Sequence, residues 1–279
     1  MEALFADNNS KTSLEQLPKL NYVYEQVWDL DAADDIGFGL RLDGPTDTVK
    51  KHEQLTISYG ARSNSFLLVR YGFAVPRNPF DFVRRSNITI QTFIEEPIAD
   101  PALKTLFDAK LAELGMKDTL QADLKASGVH RDVLALIRCY EEAAAEAAGQ
   151  EVELFSIETK VVKRYLKWLG KEKDRYQTRY FADKKKLKAV LAEMADGKYH
   201  WMYPHVLTYR IGQKEILELQ SQYAMTLVMI LMSCQGSKAT FSRRAYAAFN
   251  SNSLRNYLEE DLGISAEDGF VEESAVAQE

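Results

Sequence analysis

Cysteine is nearly absent from this chain: Cys139 and Cys234 are the only two in 279 residues. They lie far apart and have no metal-type spacing, so both read as small buried hydrophobes in a reducing compartment. Histidine is scarce as well. None of His52, His130, His200 and His205 is spaced with acids or cysteines as a metal-ligand set, and His52 reads as a solvent-facing loop residue. No Ser-His-Asp arrangement, P-loop or HExxH occurs. An excess of positive charge is also missing. The net charge of -6 and a pI near 5.5 argue against a general nucleic-acid binder, which needs a basic face to neutralise phosphates. Long apolar runs are lacking too. The longest, Met225 to Met232, is interrupted by Thr226 and falls short of the ~20 residues that span a bilayer. The first residues, MEALFADNNSK, resemble neither a signal peptide nor a transit peptide. A soluble protein with no membrane partner is expected.

With 46% hydrophobic residues, the chain can bury a substantial core in one large or two modest domains. Its texture changes once, from β-rich to helical, which predicts an α+β protein. Residues 21–30 alternate as a strand, with Tyr22, Tyr24, Trp28 and Leu30 on one side and Val23 and Val27 on the other. A second strand carries Phe38, Leu40 and Leu42, a third runs Leu55 to Tyr59, and a fourth is expected over 87–92. Gly37-Phe38-Gly39 reads as a hairpin device rather than a cofactor loop.

Helices follow. Asp100-Pro101 starts one and Gly115 stops it. A second covers about 129–148, with Val133, Leu134, Ile137 and Tyr140 inward. A third covers about 156–169, where Ile157, Val161, Tyr165 and Leu169 recur every four residues. Leu187, Val190, Leu191 and Met194 form another amphipathic set. A long helix spans about 204–234 with Ile216, Leu219, Tyr223, Leu227 and Ile230 in stripe. The expected division is 1–92, 93–262 and a disordered acidic tail at 263–279.

The segment EQLTISYGARSNSFLLVRYGF, Glu53 to Phe73, is the most specific in the chain. A strand ends at Tyr59, Gly60 turns the chain, and Ser63 can cap a short helix carrying Phe66, Leu67 and Arg70 that Gly72 closes. A tyrosine is left at a strand end beside a polar Arg62-Ser63-Asn64 corner. In residue content and spacing the segment resembles the closing motif of SET-domain protein methyltransferases of the Rubisco large-subunit methyltransferase type. Tyr209 to Gln220, YRIGQKEILELQ, is similar to the signature of the final long helix in that family's substrate-binding domain. Tyr180-Phe181-Ala182-Asp183 is similar to the turn preceding its penultimate helix. The resemblance covers about residues 21 to 235.

That resemblance implies the C-terminal portion of a SET domain followed by an all-helical substrate-binding domain, with S-adenosylmethionine as methyl donor. It implies a protein partner offering a target lysine, or in some relatives a histidine. Tyr59 would be the catalytic tyrosine whose hydroxyl lines the channel for the amine; Asn8 and Phe73 would contact the cofactor. The channel matters because a lysine amine, with a free pKa of ~10.4, must arrive neutral, and desolvation favours that form. Other readings stand beside these. A tyrosine ending a strand often only packs there with its hydroxyl in water, and Asn8-Asn9-Ser10 is otherwise a polar turn.

The family's glycine-rich cofactor loop has no counterpart here. The resemblance therefore implies either a C-terminal piece of a longer product or a member that kept the protein-binding half and is a non-catalytic interaction module. Residues 160–188 hold 12 Lys or Arg against three acids, leaving the rest of the chain at -15. Such a stretch reads as a solvated helix face, as a docking site for an acidic protein, or as an RNA contact.

Overall fold

The computed structural model describes residues 59–151, 153–233, 254 and 257–262, together with the backbone of strands at 22–27 and 39–43. The chain divides into two compact units, Met1–Arg62 and Ser63–Glu279. It is mostly helical with short antiparallel strand pairs, an α+β protein.

In the first unit, β1 (Tyr22–Val27) pairs antiparallel with β2 (Gly39–Asp43). Val23 stands opposite Leu42 and Gln26 opposite Leu40, so β1 carries one extra residue between them. This bulge corrects the expected unbroken alternation, because an extra residue shifts the phase of a period-two pattern. The third expected strand falls at 55–58, outside the described residues; Tyr59 itself sits in no regular element. Asn8, His52, Cys234 and the tail at 263–279 also lie outside the described residues.

The second unit opens on α1 (Asn64–Tyr71). Its ends follow the local chemistry expected of them. Ser63 accepts a hydrogen bond from the Phe66 N–H at 3.4 Å, and Gly72 closes the helix at φ 81°, the left-handed cap that glycine adopts without strain. Next come β3 (Val83–Ile88), α2 (Pro101–Glu113) and β4 (Leu120–Leu124). Asp100 caps α2 by accepting from the Ala102 N–H at 2.9 Å. Among the described residues, four helices follow: α3 (Arg131–Ala147), α4 (Leu154–Asp174), α5 (Tyr180–Glu193) and α6 (Tyr203–Ser233). With 31 residues, α6 is roughly 46 Å long at 1.5 Å per residue.

The strand expected over 87–92 lies instead at Val83–Ile88, and Ile90–Thr92 forms a 3-10 turn. It pairs with β4, within the second unit. Val83 and Ile88 are five positions apart and would face opposite sides of a regular strand. Both are buried. A bulge between Arg85 and Ile88 restores the phase, with Asn87 at φ 58°, a conformation asparagine tolerates better than most residues.

The core lies where α3, α4 and α6 meet, covered by a single π-helical turn at Tyr257–Asp261. Ile157, Val161, Tyr165 and Leu169 are all buried, as their spacing predicts, and so are Val133, Leu134 and Ile137. Among the described residues, three buried glutamates punctuate this apolar interior, and each meets an arginine: Glu141 with Arg164, Glu158 with Arg138, Glu172 with Arg85. Glu158 also accepts from the Tyr257 hydroxyl at 2.6 Å. A buried carboxylate without such partners would be strongly destabilising.

Candidate functional site

Tyr59 is 46% exposed, and Gly60 beyond it turns the chain at φ 70°. Phe73 follows the Gly72 cap, half-buried, its ring tilted against Tyr71 at 6.3 Å between centroids. Tyr59 belongs to the first compact unit and Phe73 to the second.

The Ser63-Asn64 corner is a structural clasp, which the sequence did not announce. Asn64 is 1% exposed. Its backbone N–H donates to Asp81 Oδ1 at 3.1 Å, and its Nδ2 donates to Asp81 Oδ2 at 3.1 Å and to the Val75 carbonyl at 2.9 Å. Its Oδ1 accepts from the Val75 N–H at 2.8 Å and from Asn78 Nδ2 at 3.2 Å. The amide thus uses two donors and two acceptor positions, its whole capacity. This holds the 74–81 loop, including Arg77 at φ 51°, a left-handed backbone that costs a non-glycine residue about 1–2 kcal/mol. Burial pushes the Asp81 carboxyl above its usual range, against opposing hydrogen bonds from Asn64 and Phe82.

The signature over Tyr209–Gln220 explains itself on α6. A Cβ on Gly212 would lie 3.3 Å from Asp81 Oδ2, so glycine lets the helix approach the clasp. Gln213 donates to the Phe82 carbonyl at 2.9 Å. Arg210 grips Asp183 with two nitrogens, at 2.9 and 2.5 Å, and Lys214 reaches the same carboxylate. Lys214 also donates to Thr178 Oγ1 at 2.8 Å. About two turns further, Gln220 donates to the carbonyls of Lys125 and Gly128 and accepts from the Tyr165 hydroxyl. The polar residues of this signature therefore hold the neighbouring loops onto one helix. Their sequence signal was the run of Gln213, Lys214 and Gln220 on a face otherwise occupied by buried apolar residues.

Gly72 faces the same helix from its other end. A Cβ there would come within 2.6 Å of the Trp201 ring, and the Ala74 N–H donates to His205 Nδ1 at 3.3 Å. His205 lies in the first turn of α6, within the helix expected over 204–234. The basic stretch over 160–188 is partly spent internally. Arg164 pairs with Glu141, Lys167 with Glu95, Lys173 with Glu218 and Arg175 with Glu172.

A cleft of about 330 Å³ opens between α5, α6 and the 74–81 loop, and a smaller one of about 230 Å³ lies near Ile90 and Phe107. Neither Tyr59 nor Phe73 lines them. The residues named for S-adenosylmethionine, Asn8 and Phe73, make no fitted site for it among the described residues: Asn8 lies outside them, and Phe73 offers one half-buried ring. Among the described residues, no three His, Cys, Asp or Glu side chains are placed to hold a metal ion. No described helix is long and apolar enough to cross a membrane.

No protein-family profile and no curated protein sequence matches this chain.

Proposed function

We propose that this chain is the C-terminal part of a SET-type protein N-methyltransferase that acts on a lysine, or a histidine, of a protein substrate with S-adenosylmethionine as donor. In this reading the helical unit grips the target protein, and the Tyr59 hydroxyl orients the incoming amine. One observation carries the reading. The three segments that resemble the family are physically interlocked: Asn64 of the first clasps Asp81 against Gly212 of the second, and Asp183 of the third is held by Arg210 and Lys214. Their meeting on one helix supports treating the three segments as parts of a single family pattern.

The exposure of Tyr59 favours a second reading, a protein-binding module without turnover. Calorimetric titration with S-adenosylhomocysteine, followed by incubation with labelled donor and a lysine-rich extract, separates the two. Micromolar binding and incorporation that disappears in Tyr59→Phe support the enzyme. Absence of both leaves the module.

A further inference from the structure

The sequence pattern predicts that Leu187, Val190, Leu191 and Met194 pack inward. In the structure only Val190 is buried, while Leu191 is 56% exposed and Phe181, on the same helix, 74% exposed. Half-buried Leu187 and exposed Leu191 of α5 meet the buried Ile211 of α6 to floor the 330 Å³ cleft. Its rim is cationic: Arg77 from the clasped loop, and Lys184 and Lys188 one helical turn apart on α5. Among the described residues, the ion pairs of the basic stretch use Arg164, Lys167, Lys173 and Arg175; none uses Arg77, Lys184 or Lys188.

We infer that this cleft is a docking site for an acidic, amphipathic segment of a partner protein, with an apolar side chain on the Leu187–Leu191–Ile211 floor and flanking carboxylates on the cationic rim. Charge complementarity selects this occupant. The basic stretch carries +9 in a chain of -6, and among the described residues its rim lysines enter no ion pair, so a partner's acids would meet charge not already paired there. The lining argues against RNA. A nucleic-acid groove is continuously basic, whereas Glu215 stands in this lining, the floor is aliphatic, and the lining ring of Tyr180 already carries the Lys184 ammonium over its face at 5.1 Å.

The pose of Arg77 fits the same use. Its left-handed backbone is maintained by the Asn64 clasp, which grips both Val75 and Asn78 on either side, and strained residues so held cluster at binding sites. Docking here requires no methyl transfer and is measured without any donor, so its failure is distinct from failure of the enzymatic reading.

The test is selection of displayed random 12-residue peptides on the full chain, with counter-selection on the Lys184→Glu/Lys188→Glu variant. Both lysines are exposed, so charge reversal leaves the fold intact. Enriched peptides should carry Asp or Glu flanking Leu, Phe or Met. By fluorescence anisotropy they should lose roughly tenfold or more in affinity for the double variant, lose affinity for Leu191→Ser, and weaken with salt. Lack of enrichment overturns the inference. So do peptides that bind the charge-reversed chain equally well, or a 12-nucleotide polyuridine RNA that binds more tightly than the selected peptides.

Discussion

Lys214 donates to Asp183 Oδ2 at 2.5 Å, joining two positions 31 residues apart inside the protein. The side chains are 6% and 2% exposed, so neither charge has water to fall back on. Arg210 and Thr178 complete the carboxylate's shell. Removing the carboxylate with Asp183→Ala leaves Lys214 buried beside Arg210 with no counter-charge. A loss of about 3–5 kcal/mol is expected, read as a shift in the urea midpoint. A loss under about 1 kcal/mol would refute this account of the α5–α6 contact.

The same carboxylate sets a pH dependence. Burial alone would raise the Asp183 carboxyl, but hydrogen bonds from Lys214, Arg210 and Thr178 outweigh it and hold it below its usual range. A depressed folded-state value contributes stability above the unfolded value of about 3.9, and that contribution disappears as pH falls through the folded value. The stability gap between wild type and Asp183→Asn should therefore be widest at neutral pH and narrow once pH falls below the unfolded value of about 3.9. Asp81, raised by burial, works in the opposite sense: its contribution is present at low pH and lost as pH rises through the folded value. A pH-independent gap for Asp183→Asn would refute the assignment.

Asn64→Ala should cost about 2–4 kcal/mol, because the Asp81 carboxylate and the Val75 backbone groups lose partners in a buried site. Hydrogen exchange should then quicken across the 74–81 loop while the α3–α4 core stays protected. Unchanged exchange in that loop would show that other contacts hold it.

Gly72→Ala combines two penalties. A left-handed backbone costs alanine about 1–2 kcal/mol, and the new methyl must displace the Trp201 ring. A fall in thermal midpoint together with a change in Trp201 fluorescence is expected. A midpoint change with no fluorescence response would mean that the ring is not the obstacle.

Tyr59→Phe removes only a hydroxyl from a 46% exposed side chain. Stability should change by less than about 0.5 kcal/mol, whereas methyl transfer, if the enzymatic reading holds, should fall by tenfold or more. A large stability loss with transfer intact would make Tyr59 a packing residue.

Much of the helical unit was legible from local chemistry. Ser63 and Gly72 bracket α1, Asp100-Pro101 opens α2, and the four-residue recurrence from Ile157 to Leu169 marks the buried face of α4. Helix caps and amphipathic stripes involve residues within a few positions of one another, so a linear string contains the needed information. The β3–β4 pair was not legible. Its partners are Val83 with Leu124 and Ile88 with Leu120, and the Asn87 bulge that rephases β3 has meaning only once β4 is beside it. The alternation of Leu120, Ala122 and Leu124 was the one local trace of that pairing.

Side-chain types alone named Asn64, Asp81, Asp183 and Lys214 as polar, but gave no way to pair them. A buried carboxylate takes its cation from whichever helix hydrophobic burial brings alongside, and that neighbour is chosen by non-local packing. The cleft rests on the same distinction. Residue order placed leucines and lysines on α5, whereas the packing of α6 and the clasped loop beside that helix left Leu191 exposed and, among the described residues, Lys184 and Lys188 outside any ion pair.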